Sequence, residues 1–179
     1  RGGTLAGNAE YDNWWIWKKS REGEKQPNPS IKQLTEMGDA GVPPEERIFG
    51  LEGRLRPCFI EPYRCRNVLI EDVRLRRAPF WQIHPVLSTN VTVRGVDVNS
   101  HGPNNDGCNP ESCRDVLIEN SFFDTGDDCI AIKSGRNTDG RRVNVPSENI
   151  VVSNCEMRAG HGGVVIGSEM SGGVRNVFA

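Results

Sequence analysis

The sequence predicts an all-β fold, a single parallel β-helix (β-solenoid) domain over residues 1–179, and three observations predict it. A short phrase recurs as Asn67-Val68-Leu69-Ile70, Asn90-Val91-Thr92-Val93, Asp115-Val116-Leu117-Ile118, Asn149-Ile150-Val151-Val152 and Asn176-Val177-Phe178, with 23, 25, 34 and 27 residues between successive starts. Each phrase is a polar residue followed by alternating β-formers, the pattern of a short strand with one buried face. A second apolar segment follows at a near-constant distance: Phe80-Trp81-Gln82-Ile83, Asp106-Gly107-Cys108, Cys129-Ile130-Ala131-Ile132 and Gly163-Val164-Val165-Ile166. Helical periodicity is missing from Cys58 onward. Such a unit cannot bury its own apolar face, so copies must stack. The leucine-rich alternative lacks its Leu-x-x-Leu-x-Leu phrase.

Composition excludes several functions. Lys plus Arg number 22 against 24 Asp plus Glu, a net charge of −2, so no global basic field exists to hold nucleic acid. No stretch approaches the ~18 apolar residues of a membrane-spanning helix. None of Cys58, Cys65, Cys108, Cys113, Cys129 and Cys155 forms a Cys-x-x-Cys pair, which removes the zinc-ribbon and thioredoxin readings.

Taken in order, Gly2 to Gly7 reads as one more turn of the coil. Trp14-Trp15-Ile16-Trp17 follows, either packing an excursion against the solenoid or offering a sugar-stacking platform. The excursion is expected over residues 18–47, with a short helix near Ile31 to Met37. From Asn67 onward the recurring Asn is structural, because stacked Asn side chains satisfy turns and bond to one another. Asn90-Val91-Thr92 is a glycosylation sequon, but its place in the Asn row favours the structural role. The Gly126 to Ile132 segment aligns with Gly160 to Ile166 at an offset of 34, matching Asp115 to Asn149. The long coil therefore carries an insert within residues 134–146. Cys65 and Cys113 stand two coils, ~10 Å, apart and cannot bridge. For Cys129 a bridge to Cys108 or Cys155 and a free buried thiol both stay open. The chain opens at Arg1 without Met and closes inside an apolar run, so the solenoid is read as incomplete at both ends.

Three dense polar clusters fall at equivalent points of successive coils: Asn104-Asn105-Asp106-Gly107, Gly126-Asp127-Asp128-Cys129 and Gly160-His161-Gly162-Gly163. Coils ~4.8 Å apart bring Asp106, Asp127, Asp128 and His161 into one patch. A regular strand points consecutive residues to opposite faces, so Gly126 is needed to bend the chain and turn both Asp127 and Asp128 outward. Burying either in a dry core would cost several kcal/mol. Like-charge repulsion should leave at least one carboxyl protonated at mildly acidic pH, beside ionised partners that activate water. That is the minimal machinery of an inverting glycosidase. Turn-forming Asp and Gly, or a cation site from the same Asp and His, are the competing readings.

These residues resemble family 28 of the glycoside hydrolases, the polygalacturonases and their relatives. Three of that family's four motifs stand here in order: Asn104-Asn105-Asp106, Gly126-Asp127-Asp128 and Gly160-His161-Gly162, with Ile166-Gly167-Ser168-Glu169 after the last. The resemblance implies a right-handed parallel β-helix that hydrolyses α-1,4-galacturonosyl bonds of pectin with inversion, without metal or cofactor. On it, Asp127 is the general acid, Asp106 and Asp128 activate water, His161 sets the acid's protonation, and Asn104 binds substrate. Lys133, with Arg136, Arg141 and Arg142 of the insert, would supply positive charge to substrate carboxylates and partly close the cleft, or the insert is a plain solvated loop. The phrase around Ser134 to Arg142, with the region from Cys58 to Arg77, resembles bacterial exo-acting members more than fungal endo-acting ones. The family also implies a secreted or periplasmic monomer whose partner is pectin or polygalacturonate, not nucleic acid or membrane. The fourth motif, Arg-Ile-Lys, lies beyond the stop at Ala179, so weak binding or inactivity of this stretch is expected. A calcium-dependent pectate lyase would need an Arg or Lys base among the Asp motifs, where the sequence has none. A non-catalytic, polysaccharide-binding solenoid is the remaining alternative.

Overall fold

A computed structural model describes residues 2–179. In chain order it contains β1 (Thr4–Ala6), α1 (Pro29–Ala40), β2 (Arg66–Glu71), β3 (Arg74–Arg76), β4 (Thr89–Arg94), β5 (Asp97–Ser100) and β6 (Arg114–Glu119). There follow β7 (Phe122–Thr125), β8 (Ile130–Ile132), α2 (Asn137–Val143), β9 (Ser147–Ser153), β10 (Glu156–Ala159), β11 (Val164–Ile166) and β12 (Val174–Phe178). The strands stack as three parallel faces, ordered β1-β3-β5-β7-β10, β12-β9-β6-β4-β2 and β11-β8. Single parallel bridges Ile60–Ile83–Cys108–Ile130 continue the third face toward the N-terminus. The chain is a parallel β-helix with three strands per coil.

The recurring phrase sets the register of one face, where Val68, Val91, Val116, Ile150 and Val177 are successive partners. One residue earlier, the polar row takes a left-handed backbone, from φ 55° at Asn176 to 60° at Asp115, which Asn and Asp tolerate better than other side-chain-bearing residues. Its side chains bond along the stack: Asn90 to Asn67 at 2.7 Å, Asn149 to Asp115 at 2.9 Å and Asn176 to Asn149 at 3.1 Å. The face that sequence reading missed runs through Leu75, Val98, Phe123 and Met157. Its strands are three or four residues long, too short to show a period. All six cysteines are free, which decides the open disulfide question.

The departure from the coil is wider than residues 18–47. Ala9 still bonds to the coil through Arg77 O, and Phe59 is the first residue to rejoin it, through Trp81 O. Trp15 holds the excursion down, its Nε1 donating to Ala78 O at 2.9 Å. The expected helix is present and longer, because Asn28 caps it by accepting from Ser30 N at 3.1 Å, Pro29 starts it and Gly41 ends it at φ 79°. The insert is neither loop nor strand: it folds as α2 and packs on α1. Arg47 grips Asp139 with two hydrogen bonds, 2.6 and 3.0 Å, and Arg142 donates to the α1 carbonyls of Gly38 and Asp39 at 2.8 and 3.0 Å. A cation on the last carbonyls of a helix is favoured by their dipoles. Among the described residues no helix is long and apolar enough to cross a membrane.

Candidate active site

The third face carries the chemistry. Counting two residues back from the bridged Ile60, Ile83, Cys108, Ile130 and Val164 gives one row along the stack, Cys58, Trp81, Asp106, Asp128 and Gly162, of which Trp81, Asp106 and Asp128 line one cleft. Asp106 and Asp128 are thus neighbours one coil apart, ~4.8 Å along the stack. Asp127 joins them because the chain bends at Gly126, where a Cβ would stand 2.5 Å from Gly102 O. Only glycine permits that approach, and both carboxylates of the pair face the same cleft as Asp106. The expected outward turn of Asp127 and Asp128 is what the structure shows.

The three acids differ in surroundings. Asp106 is 3% exposed; its Oδ2 accepts from Asn109 Nδ2 at 2.8 Å, while Oδ1 has no hydrogen-bond partner among the described residues. Burial pushes its carboxyl up to about 6, with a smaller contribution from the Asp127 charge. Asp128 is also raised, by burial first and Asp127 second. Like-charge repulsion, the cause expected from sequence, is therefore secondary to desolvation. Asp127 is the best supplied with donors: His161 Nδ1 lies 3.1 Å from Oδ1, and Asn104 Nδ2 donates to Oδ2 at 3.3 Å. The His161 side chain is 72% exposed, so it touches Asp127 from the open side of the cleft.

Two cations reach the acids, and a third stands in the neighbouring pocket. Lys133, buried, has its Nζ 4.0 Å from Asp106 Oδ2 and 3.4 Å from Glu169 Oε2, donates to Gly167 O at 3.0 Å and lies 4.7 Å over the Trp81 ring. A basic residue thus does stand beside the Asp motifs, contrary to the expectation from sequence, and it is engaged by Asp106, Glu169, Gly167 O and Trp81. Arg56 donates to Asn104 Oδ1 at 2.8 Å and sits 4.8 Å over Phe80. Burial lowers its guanidinium to about 10, which leaves it charged at neutral pH. Arg136 lines a neighbouring pocket with Trp17, Lys18, Arg56, Trp81 and Asn104. Arg141 is exposed and away from these pockets, and Arg142 is committed to α1, so the basic cluster of the insert does not converge on the acids as expected.

Sequence reading missed Arg56 and Trp81 as parts of the site. Trp81 had a readable signal: it occupies the position of Asp106 one coil earlier. Arg56 had no periodic signal, since the structure places it in the aperiodic excursion.

An exopolygalacturonase from Thermotoga maritima, described as hyperthermoactive, superposes with a TM-score of 0.91 at 53% identity, covering 98% of this chain and 41% of that one. The shared fold is a right-handed parallel β-helix. A probable polygalacturonase of Vitis vinifera is 35% identical over 127 residues, 69% of this chain and 26% of its own length. An exo-poly-α-D-galacturonosidase of Dickeya chrysanthemi is 35% identical over 115 residues, 64% and 19% respectively. The chain thus spans about a quarter or less of these two relatives. The model of the glycosyl hydrolases family 28 matches residues 47–178, from the last part of the excursion through the three acids to the last strand, and the chain belongs to that family.

Proposed function

We propose that this chain carries the catalytic face of a hydrolase that cleaves α-1,4-galacturonosyl bonds of polygalacturonate with inversion, removing units from a chain end. The observation that carries the reading is three carboxylates of unequal environment in one cleft. Asp127, in contact with His161 and Asn104, gives its proton to the glycosidic oxygen. Asp106 and Asp128 hold and deprotonate the attacking water, for which Asp106 Oδ1 is a buried acceptor with no other partner among the described residues. Burial raises the Asp106 carboxyl to about 6, so it becomes available as a base as the pH rises toward that value. No step needs a metal or cofactor. Substrate carboxylates meet Lys133, Arg56 and Arg136, local charges that offset a chain whose net charge is −2.

Action from a chain end is supported by the wall beside the acids. Trp17, Ile31 and Leu34 of the excursion and Arg136 of the insert line one pocket with Trp81 and Asn104. The Arg47–Asp139 pair and Arg142 tie the two walls together, so a polymer meets a closed end rather than an open groove. A cell-wall substrate fits a secreted or periplasmic protein.

The test is reducing-end release from polygalacturonic acid at pH 5 in EDTA, with product sizing, for this chain and its Asp127→Asn variant. Saturated galacturonate monomer from the unmodified chain alone, released slowly in line with the weak binding expected of this stretch, is the expected result. Unsaturated products would convert the reading to a lyase, and early long oligomers would refute the closed end. Binding without release by a folded chain would leave a polysaccharide-binding solenoid.

A further inference from the structure

The stacked row of Asp128, Asp106 and Trp81 continues one coil further to Cys58. Here Cys58, Glu61 and His84 bring one ligand atom each within 4.8 Å of the others. Cys58 Sγ is 3.3 Å and Glu61 Oε1 3.2 Å from His84 Nδ1. An ion with tetrahedral arms of ~2.0–2.3 Å sets neighbouring ligand atoms about 3.3–3.8 Å apart, so two edges of a coordination tetrahedron are close to their final length. The third closes by rotation of Glu61, whose side chain is 46% exposed.

A second, independent feature is on the far side of the ring. His84 Nε2 lies 2.8 Å from Glu111 Oε2, and the imidazole is 7% exposed, edge-on to Trp81 at 4.8 Å. A carboxylate on the non-ligating nitrogen is the arrangement that orients a metal-bound histidine. The groups come from three successive coils, since Tyr63, Val86 and Glu111 are bridge partners in one row. Thiolate, imidazole and carboxylate together suit a borderline ion and disfavour calcium or magnesium, which take oxygen ligands.

We propose that Cys58, Glu61 and His84 form a binding site for a divalent ion of the zinc class, with Glu111 orienting His84 and water in the fourth position. The ion staples the coils beneath the cleft and takes no part in hydrolysis, so this inference and the proposed activity stand or fall separately.

The test titrates the chelator-cleared chain with Co²⁺ and then Zn²⁺. Expected are one equivalent of tetrahedral Co²⁺ with a thiolate charge-transfer band, displacement by Zn²⁺, and an unfolding temperature raised by on the order of 5–10 °C at a hundredfold excess over Kd. Cys58→Ser removes the band, Glu111→Gln weakens binding about 10–100-fold, and Cys65→Ser changes nothing. A band that survives Cys58→Ser, or octahedral Co²⁺ throughout, overturns the proposal. X-ray absorption on the unmodified zinc-loaded chain checks it without any variant: one sulfur and two or three N/O neighbours are expected, and a shell without sulfur refutes it.

Discussion

Replacing Asp106 by Asn should stabilise the protein at neutral pH while disabling it. Burial holds the carboxyl at about 6 in the folded chain, against 3.8 for the free group, a difference of about 2 units. At ~1.4 kcal/mol per unit this is about 3 kcal/mol. Between those two values the native chain retains a proton that the unfolded chain has lost. Stability therefore falls as pH rises through the window, and the full penalty is present above about pH 6. Asn cannot ionise, can keep the contact with Asn109, and removes that penalty. The contact of Lys133 with Asp106 Oδ2, 4.0 Å, is also lost, but Lys133 keeps Glu169 and Gly167 O. This offset is carried by the charged form of Asp106 and works against the gain. The net gain from pH 4 to pH 7 is therefore at most about 3 kcal/mol. Urea unfolding of both forms at pH 4, 5, 6 and 7 measures it: the variant's advantage should grow with pH and level off above about 6. Activity should fall by about 10²–10⁴, since Asp106 is placed as a base. Parallel stability curves for the two forms would show that Asp106 is not held neutral by burial, and would refute the reasoning.

Three further outcomes are expected. The kcat/KM of the unmodified chain should rise about tenfold per pH unit up to about 6, as Asp106 loses the proton that burial keeps on it and becomes available as a base; a pH-rate profile flat from pH 4 to 6 would contradict this. Asp139→Ala severs the two Arg47 hydrogen bonds of 2.6 and 3.0 Å and the Arg142 contact of 3.2 Å, which should cost about 1–3 kcal/mol in thermal unfolding. The same change loosens the α1–α2 wall, so chromatography should show oligomers beside the monomer. Asn149→Ala breaks the ladder on both sides, at 2.9 and 3.1 Å, and puts Ala at φ 57°; denaturant titration should show a loss of about 2 kcal/mol, part of which Asn149→Gly restores.

The legible parts of this protein are those that repeat. A coil stacked in register presents the same chemistry at the same step, so the Val68 to Val177 row, the Asn ladder and the alignment of Ile130 with Val164 could be read off spacing. The convergence of Asp106, Asp127 and Asp128 followed from that register, and the bend between the last two followed from Gly126. The strands of Leu75, Val98 and Phe123 escaped notice because three or four residues with one inward side chain carry no measurable period.

By itself, then, the sequence determined the solenoid, its register and which acids share a cleft, because these depend on interactions between residues one repeat apart. Only the tertiary structure decided the rest. Arg47 meets Asp139 across 92 residues, and Arg56 reaches Asn104 across 48, contacts between aperiodic segments that no spacing announces. The raised carboxyl of Asp106, the capture of Arg142 by α1 and the meeting of Cys58 with His84 likewise arise from burial and close packing, which exist only once the chain has folded.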